Sequence, residues 1–360
     1  MTMNRHTIFS HCIPGSLKAL AALAVAATLS ACSDWTRPES LDLGIHMDEI
    51  SGEELAQIRA FKQTEHKLVF LGMDATAETP VGRYQHLNSM PDSADYIFIR
   101  NLVGGLHRDL VQEIGQVRQQ KGTRVLADID YISIEEEWLA IQDAAIDAGE
   151  PAGTDEEYTS FVTEKVNAQL ACLAKYGCDG LMISYNGSAS SSVAVVGRAA
   201  FINAVMAWRA SSPDVEMLLR GNLQQVIRNT SAGETLYDVA AFLAEFRLIV
   251  FAVGEYTTEN DVNSAVNRLR RSFADFPIDR FIFEATVPDP ADPVQIGMTP
   301  QQTASYVLNL NEDFTKLGLC VENAEDDYFN IGNSYINVRR AITVLNTEPS
   351  VDENPSATEE

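Results

Sequence analysis

Eight short apolar runs, set apart by amphipathic segments, constrain this chain more than any other feature. The runs are Leu68 to Met73, Tyr96 to Ile99, Arg124 to Ile129, Leu181 to Tyr185, Val215 to Leu219, Leu248 to Val253, Arg280 to Ala285 and Leu317 to Val321. Strands that read as nearly continuous apolar stretches are covered on both faces, as in a parallel sheet. Between them, Leu106 to Gln119 places Leu106, Leu110, Ile114 and Val117 on one helical face, and Lys121-Gly122 ends it. Tyr158 to Lys175, Val262 to Phe273 and Pro300 to Lys316 follow the same pattern. Eight strand–helix alternations predict an α/β fold, a (β/α)8 TIM barrel. A doubly wound open sheet is the alternative, but no Gly-rich phosphate loop follows the first run.

The ends of the chain read differently. Arg5, His6 and Lys18 precede an apolar run from Ala19 to Ala27, too short to span a bilayer. The run leads to Leu29-Ser30-Ala31-Cys32, which resembles a bacterial lipoprotein cleavage box. That resemblance implies a signal peptide over residues 1–31, an acylated Cys32, and localisation in the cell envelope by a lipid anchor. An ordinary secretory signal would leave the small residues directly before Cys32 unexplained. The expected organisation continues with a tether and lead-in over 32–60, the barrel over 61–346 and a disordered acidic tail over 347–360. A formal net charge of −25 argues against nucleic acid as a partner and favours a neutral or cationic ligand, although acids also simply solvate a surface. Cys172 and Cys178 read as two buried thiols, with a disulfide left open. No His or Cys pair has ligand spacing, so neither a metal nor another cofactor is expected.

The most specific stretch is Cys178-Asp179-Gly180-Leu181-Met182-Ile183-Ser184-Tyr185-Asn186. It resembles the fourth barrel strand of the family 18 glycoside hydrolases, whose pattern there is Asp-Gly-x-Asp-x-Asp-x-Glu. Asp179-Gly180 is intact, whereas Met182 and Ser184 stand at the two aspartate positions and Asn186 at the acid glutamate. Alternation along a strand puts Met182, Ser184 and Asn186 on one face and turns Tyr185 the other way. An amide has no proton of useful acidity to give a leaving oxygen. Ser33-Asp34-Trp35-Thr36-Arg37-Pro38-Glu39 resembles the start of mature lipoproteins of Bacteroidota, and Asp326-Asp327-Tyr328 and the closing helix Tyr335 to Ile342 are similar to the endo-β-N-acetylglucosaminidase-like family 18 lipoproteins of that group. In active members, the resemblance implies, the glutamate protonates the glycosidic oxygen, the substrate's own N-acetyl carbonyl attacks, an aspartate orients it, and a tyrosine on strand six assists. Here Ala252 and Gly254 occupy the strand-six positions, and Tyr256 comes two residues late.

Barrel sites gather at the carboxyl ends of strands. The ligand-binding residues expected there are Asp130, Tyr131, Ser184, Asn186, Asn222, Glu255, Tyr256, Glu284 and Glu322, with Asp74 and Asp128 also at strand ends. Tyr131 and Tyr256 would supply rings for sugar faces. No catalytic residue is expected. The minority candidates are Glu255 and Glu284, an acid and nucleophile if about 5–5.5 Å apart. The acidic stretch from Glu135 to Glu157 reads as a solvated helical face or, more sharply, as a lid. The expectation is therefore a non-catalytic lipoprotein that binds N-acetylglucosamine-containing oligosaccharides or glycoprotein glycans. The alternatives are an active endo-acting hydrolase using another carboxylate and a structural or assembly lipoprotein, the latter favoured by an apolar barrel mouth.

Overall fold

The computed structural model describes residues 51–187, 192–231, 234–252, 256–288, 297–310, 313–329 and 333–346. The expected signal segment, Cys32, the tether up to residue 50, Glu255, residues 188–191 of the loop after the fourth strand and the tail from residue 347 lie outside the described residues.

All eight expected strands form: β1 (Leu68–Asp74), β2 (Tyr96–Arg100), β3 (Arg124–Asp130), β4 (Gly180–Tyr185), β5 (Glu216–Gly221), β6 (Leu248–Phe251), β7 (Phe281–Ala285) and β8 (Lys316–Val321). Neighbours run parallel, and β8 pairs with β1 to close the barrel. Helix α1 (Gly52–Phe61) precedes β1, so part of the expected lead-in is helical. Around the barrel follow α2 (Arg108–Lys121), α3 (Tyr131–Asp147), α4 (Asp155–Tyr176), α5 (Ser192–Ser211), the short α6 (Leu223–Val226) and α7 (Val239–Ala244), α8 (Glu259–Ser272), α9 (Pro300–Leu308) and α10 (Ile336–Leu345).

Local chemistry explains the boundaries. Gly122 ends α2 at φ +69°, as Lys121-Gly122 predicts, and the Thr154/Glu157 capping box opens α4. Helix α9 stops at Leu308, short of the expected Lys316. Lys316 instead begins β8, and its ammonium takes the carbonyls of Tyr306 and Asn309 at 2.7 and 2.9 Å. Strand β6 ends at Phe251 rather than Val253. The acidic stretch runs through α3, the connection at residues 148–154 and the start of α4. Trp138 is buried there against Tyr158, with ring centres 4.9 Å apart.

The core has two layers, as alternation requires. Inside the barrel lie Phe70, Tyr96, Phe98, Leu126, Met182, Leu218, Leu248, Val250, Ile282 and Cys320. Between sheet and helices lies a larger cluster that includes Tyr131, Tyr185 and Phe201. Cys172, Cys178 and Cys320 are free thiols.

Candidate functional site

The intact half of the strand-four motif is structural. The Asp179 carboxylate accepts the Val125 N–H at 2.8 Å and pairs with Arg118 at 2.6 Å, tying the start of β4 to β3 and α2. A side chain at Gly180 would place its Cβ 2.8 Å from the Glu216 carbonyl oxygen. Both residues hold β4 in register whatever stands further along it.

Beyond that point the interior positions climb from the apolar layer to the mouth. Met182 is completely buried in the apolar layer. Two residues on, the buried Ser184 hydroxyl donates to Asp128 at 2.5 Å. The layer at this height is charged. Arg220, at the end of β5 and 3% exposed, meets Glu284 of β7 at 2.8 Å and Glu322 after β8 at 2.6 Å. Arg100, at the end of β2, meets Asp74 at 3.0 Å, Glu322 at 3.4 Å and Glu325 at 2.7 Å.

Taking these groups out of water shifts their proton equilibria. Burial, reinforced by Asp130, pushes the Asp128 carboxyl up to about 7, against the pull of Arg220 and Ser184. Burial raises Glu284 above the usual carboxylate range while Arg220 pulls it down. Burial also disfavours the Arg220 charge, but Glu284 and Glu322 outweigh it and keep the guanidinium protonated. Burial lifts Glu325 to about 7, opposed by Arg100.

Two cavities flank this layer. One, about 410 Å³, is lined by Asn186, Asn222, Phe251, Ala252, Tyr256 and Arg268. Asn186 is half-buried and its amide oxygen lies against Gly221, whose φ of +115° and contact with the Tyr185 carbonyl leave no room for a side chain. Asn222 is exposed, and the Tyr256 hydroxyl accepts a hydrogen bond from Arg268 at 3.0 Å. The second cavity, about 320 Å³, is lined in part by Asn101, Asp128, Asp130, Glu137, Lys165 and Gln169.

The structure thus gathers Asn186, Asn222 and Tyr256 in one cavity and Ser184, Glu284 and Glu322 in the charged layer. Asp130 lines the second cavity, but its carboxylate is engaged with the Ile132 and Ser133 N–H groups as the N-cap of α3, where burial still raises its pKa. Tyr131 requires correction as a sugar-stacking ring. It is fully buried against Tyr185 and Phe201, with its hydroxyl 3.0 Å from that of Tyr158, so neither face is open to a ligand. Tyr185 points outward as expected. Asp327 is also structural, because its carboxylate takes the Val338 N–H at 2.8 Å near the start of α10.

Sequence reasoning missed Arg100, Arg220, Glu325 and Gln169. Arg220 carried a usable signal. It lies two residues beyond the interior Leu218, and ending strand five at Leu219 hid that alternation.

Residues 36–229 match the family profile described as glycoside hydrolase family 18, BT1044-like. No curated protein matches the sequence. Among solved structures, a BT1044 variant is similar at 17% identity and a TM-score of 0.54, over 82% of this chain and 92% of that one. The apo endo-β-N-acetylglucosaminidase from Cordyceps militaris is similar at 13% identity and a TM-score of 0.54, over 82% and 97%. A mutant of that enzyme in complex with fucosyl-N-acetylglucosamine-Asn gives 12% identity and a TM-score of 0.51, over the same shares. At these identities the structures bear on the fold alone.

Proposed function

The chain belongs to the BT1044-like group of glycoside hydrolase family 18, and on that premise we propose that it binds N-acetylglucosamine-containing glycans without cleaving them. One observation carries the reading: Met182 and Ser184 take the interior positions of β4 and Asn186 directly follows the strand, so along this stretch no carboxyl group stands where the family's acid belongs. General-acid assistance is typically worth about 10²–10⁴-fold in rate. Glu284 does not replace it, since its carboxylate is held by Arg220. The mouth is polar while the apolar side chains fill the layer beneath, which favours a ligand over a purely structural role. The ligand class is supported by the Cordyceps militaris complex with fucosyl-N-acetylglucosamine-Asn.

A second reading, hydrolysis by another carboxylate, is kept by Asp128, whose buried carboxyl holds its proton up to about 7. One experiment separates the two. The purified protein is screened on a glycan array, then incubated with chitin oligomers and an N-glycosylated protein while released sugars are followed by mass spectrometry. Binding without release is expected. Release that disappears in Asp128→Asn or Glu284→Gln overturns the non-catalytic reading and names the acid. Asn186→Glu is expected to create no activity, because Met182 and Ser184 remain at the aspartate positions. Envelope anchoring through Cys32 belongs to the same proposal. Cys32→Ala should leave the membrane fraction or remain unprocessed, and unchanged size and association would exclude lipidation.

A further inference from the structure

The cavity beside β3 has a chemistry that the mouth does not account for. Its walls come from the turn after β2, from β3 with α3, and from α4. Its volume of about 320 Å³ lies at the small end of ligand pockets, which run from roughly 300 to 1,000 Å³. That suits one sugar ring rather than a chain. Acceptors dominate the lining. Asp128, 6% exposed, gives one carboxyl oxygen to Ser184. Gln169, 8% exposed, donates its amide N–H to the Asp130 carbonyl at 3.0 Å, which fixes the amide and leaves its oxygen buried without a partner. Lys165, the cation in the lining, is bound to Glu137 at 2.5 Å.

We propose that this cavity is a subsite for one neutral sugar unit, whose hydroxyl or amide groups are read by the Gln169 amide oxygen and the Asp128 carboxyl. The inference rests on the glycan-binding reading and adds to it a place and a selectivity. An unmet buried acceptor favours a ligand that brings a donor. A carboxylated sugar would bring its charge up to the carboxyl groups of Asp130 and Glu137, where the cation of the lining, Lys165, is already bound to Glu137. Leu102 and Ile134 supply a short apolar wall for a ring face. Asp128 belongs both to this cavity and, through Ser184, to the barrel mouth, so a ring seated here adjoins a glycan laid across the mouth.

Gly104 offers the test, because it lines the cavity and a Cβ there meets nothing within 4 Å. The full chain and the series Gly104→Ala, Gly104→Val and Gly104→Phe are titrated calorimetrically with N,N′-diacetylchitobiose, mannotriose and sialyllactose, with thermal midpoints measured alongside. The full chain should bind a neutral probe and ignore sialyllactose. Affinity should fall along the series, at least ten-fold at Gly104→Phe, with the midpoint held. Gln169→Leu should also weaken binding. Equal affinity across the series and in Gln169→Leu overturns the subsite while leaving glycan binding intact. Binding of no neutral probe by the full chain overturns the glycan-binding reading and the subsite with it. Preference for sialyllactose overturns the acceptor argument. If Gly104→Phe fails to fold, the smaller Ala and Val steps and Gln169→Leu carry the same decision.

Discussion

The two ends of the barrel are closed by similar residues with opposite balances of charge. At the amino end Glu216 lies between Arg124 and Arg247, which are 41% and 51% exposed, and both guanidiniums sit over the Tyr96 ring. Tyr96 in turn stacks on Phe70 at 4.4 Å. Two cations serve one acid there, and water shares the load. At the carboxyl end Arg100 and Arg220 serve Asp74, Glu284, Glu322 and Glu325, while Asp128 holds only a serine hydroxyl. Acids outnumber cations there; Asp74 and Glu322 still reach water, whereas Asp128, Glu284 and Glu325 are withdrawn from it, and burial keeps protons on Asp128 and Glu325 to about 7. One end is a seal. The other carries an excess of buried acid, which a fold retains where it has a use for it.

The comparison breaks most sharply at Arg220. Arg220→Met leaves the buried Glu284 without its cation, while Glu322, 37% exposed, keeps Arg100, and removing one partner of a buried pair typically costs about 3–5 kcal/mol. Denaturant unfolding should show a loss of that order. A loss under about 1 kcal/mol would mean that the two carboxyls simply take up protons, and the contrast between the ends would collapse.

The next effect is a pH dependence at the mouth. The folded Asp128 carboxyl is raised to about 7, whereas an unfolded aspartate titrates near about 3.9. The folded state therefore holds more protons between those values, and stability falls as pH rises through the window. Asp128's share is fully present below about pH 4 and gone above about 7. Thermal midpoints of the wild type should decline across it more steeply than those of Asp128→Asn, which has no carboxyl to titrate. Glu325, also raised to about 7, leaves a residual slope in the variant. Identical slopes would remove Asp128 from the account.

These residues also mark how far the sequence could be read. The barrel was legible because burial on both faces writes eight unbroken apolar runs, and each became a strand. Strand four was legible down to single positions, since alternation alone sends Met182 and Ser184 inward and Tyr185 outward. The charged layer was not. Arg100 and Arg220 each lie one residue past the point where their strand reads as finished, and most of their partners come from strands distant in sequence. Tyr131 misled for a related reason. A tyrosine at a strand end looks like a sugar platform, but here it opens α3 and turns into the wall between sheet and helices. Gln169 lies mid-helix, and only folding brings it beside Asp130.

The smallest effect belongs to the amino end and completes the contrast. Arg247→Met removes one of two guanidiniums from Glu216, leaves Arg124 in place, and keeps much of the aliphatic stem. Glu216 is 11% exposed but its arginines are about half exposed, and pairs whose cation reaches water are typically worth about 0–1 kcal/mol, because water replaces what is lost and screens what remains. The expected change in unfolding free energy is therefore under about 1 kcal/mol, shrinking further in high salt, with glycan affinity unchanged since the site lies at the opposite end. Glu216→Gln is the harsher companion, because it leaves Arg124 and Arg247 facing each other across Tyr96 without their acid. It should cost more than Arg247→Met but less than Arg220→Met, since both amino-end arginines can turn to water. If Arg247→Met proved as costly as Arg220→Met, exposure would not be what separates the ends. The charge excess at the mouth would then lose its standing as a mark of the ligand site.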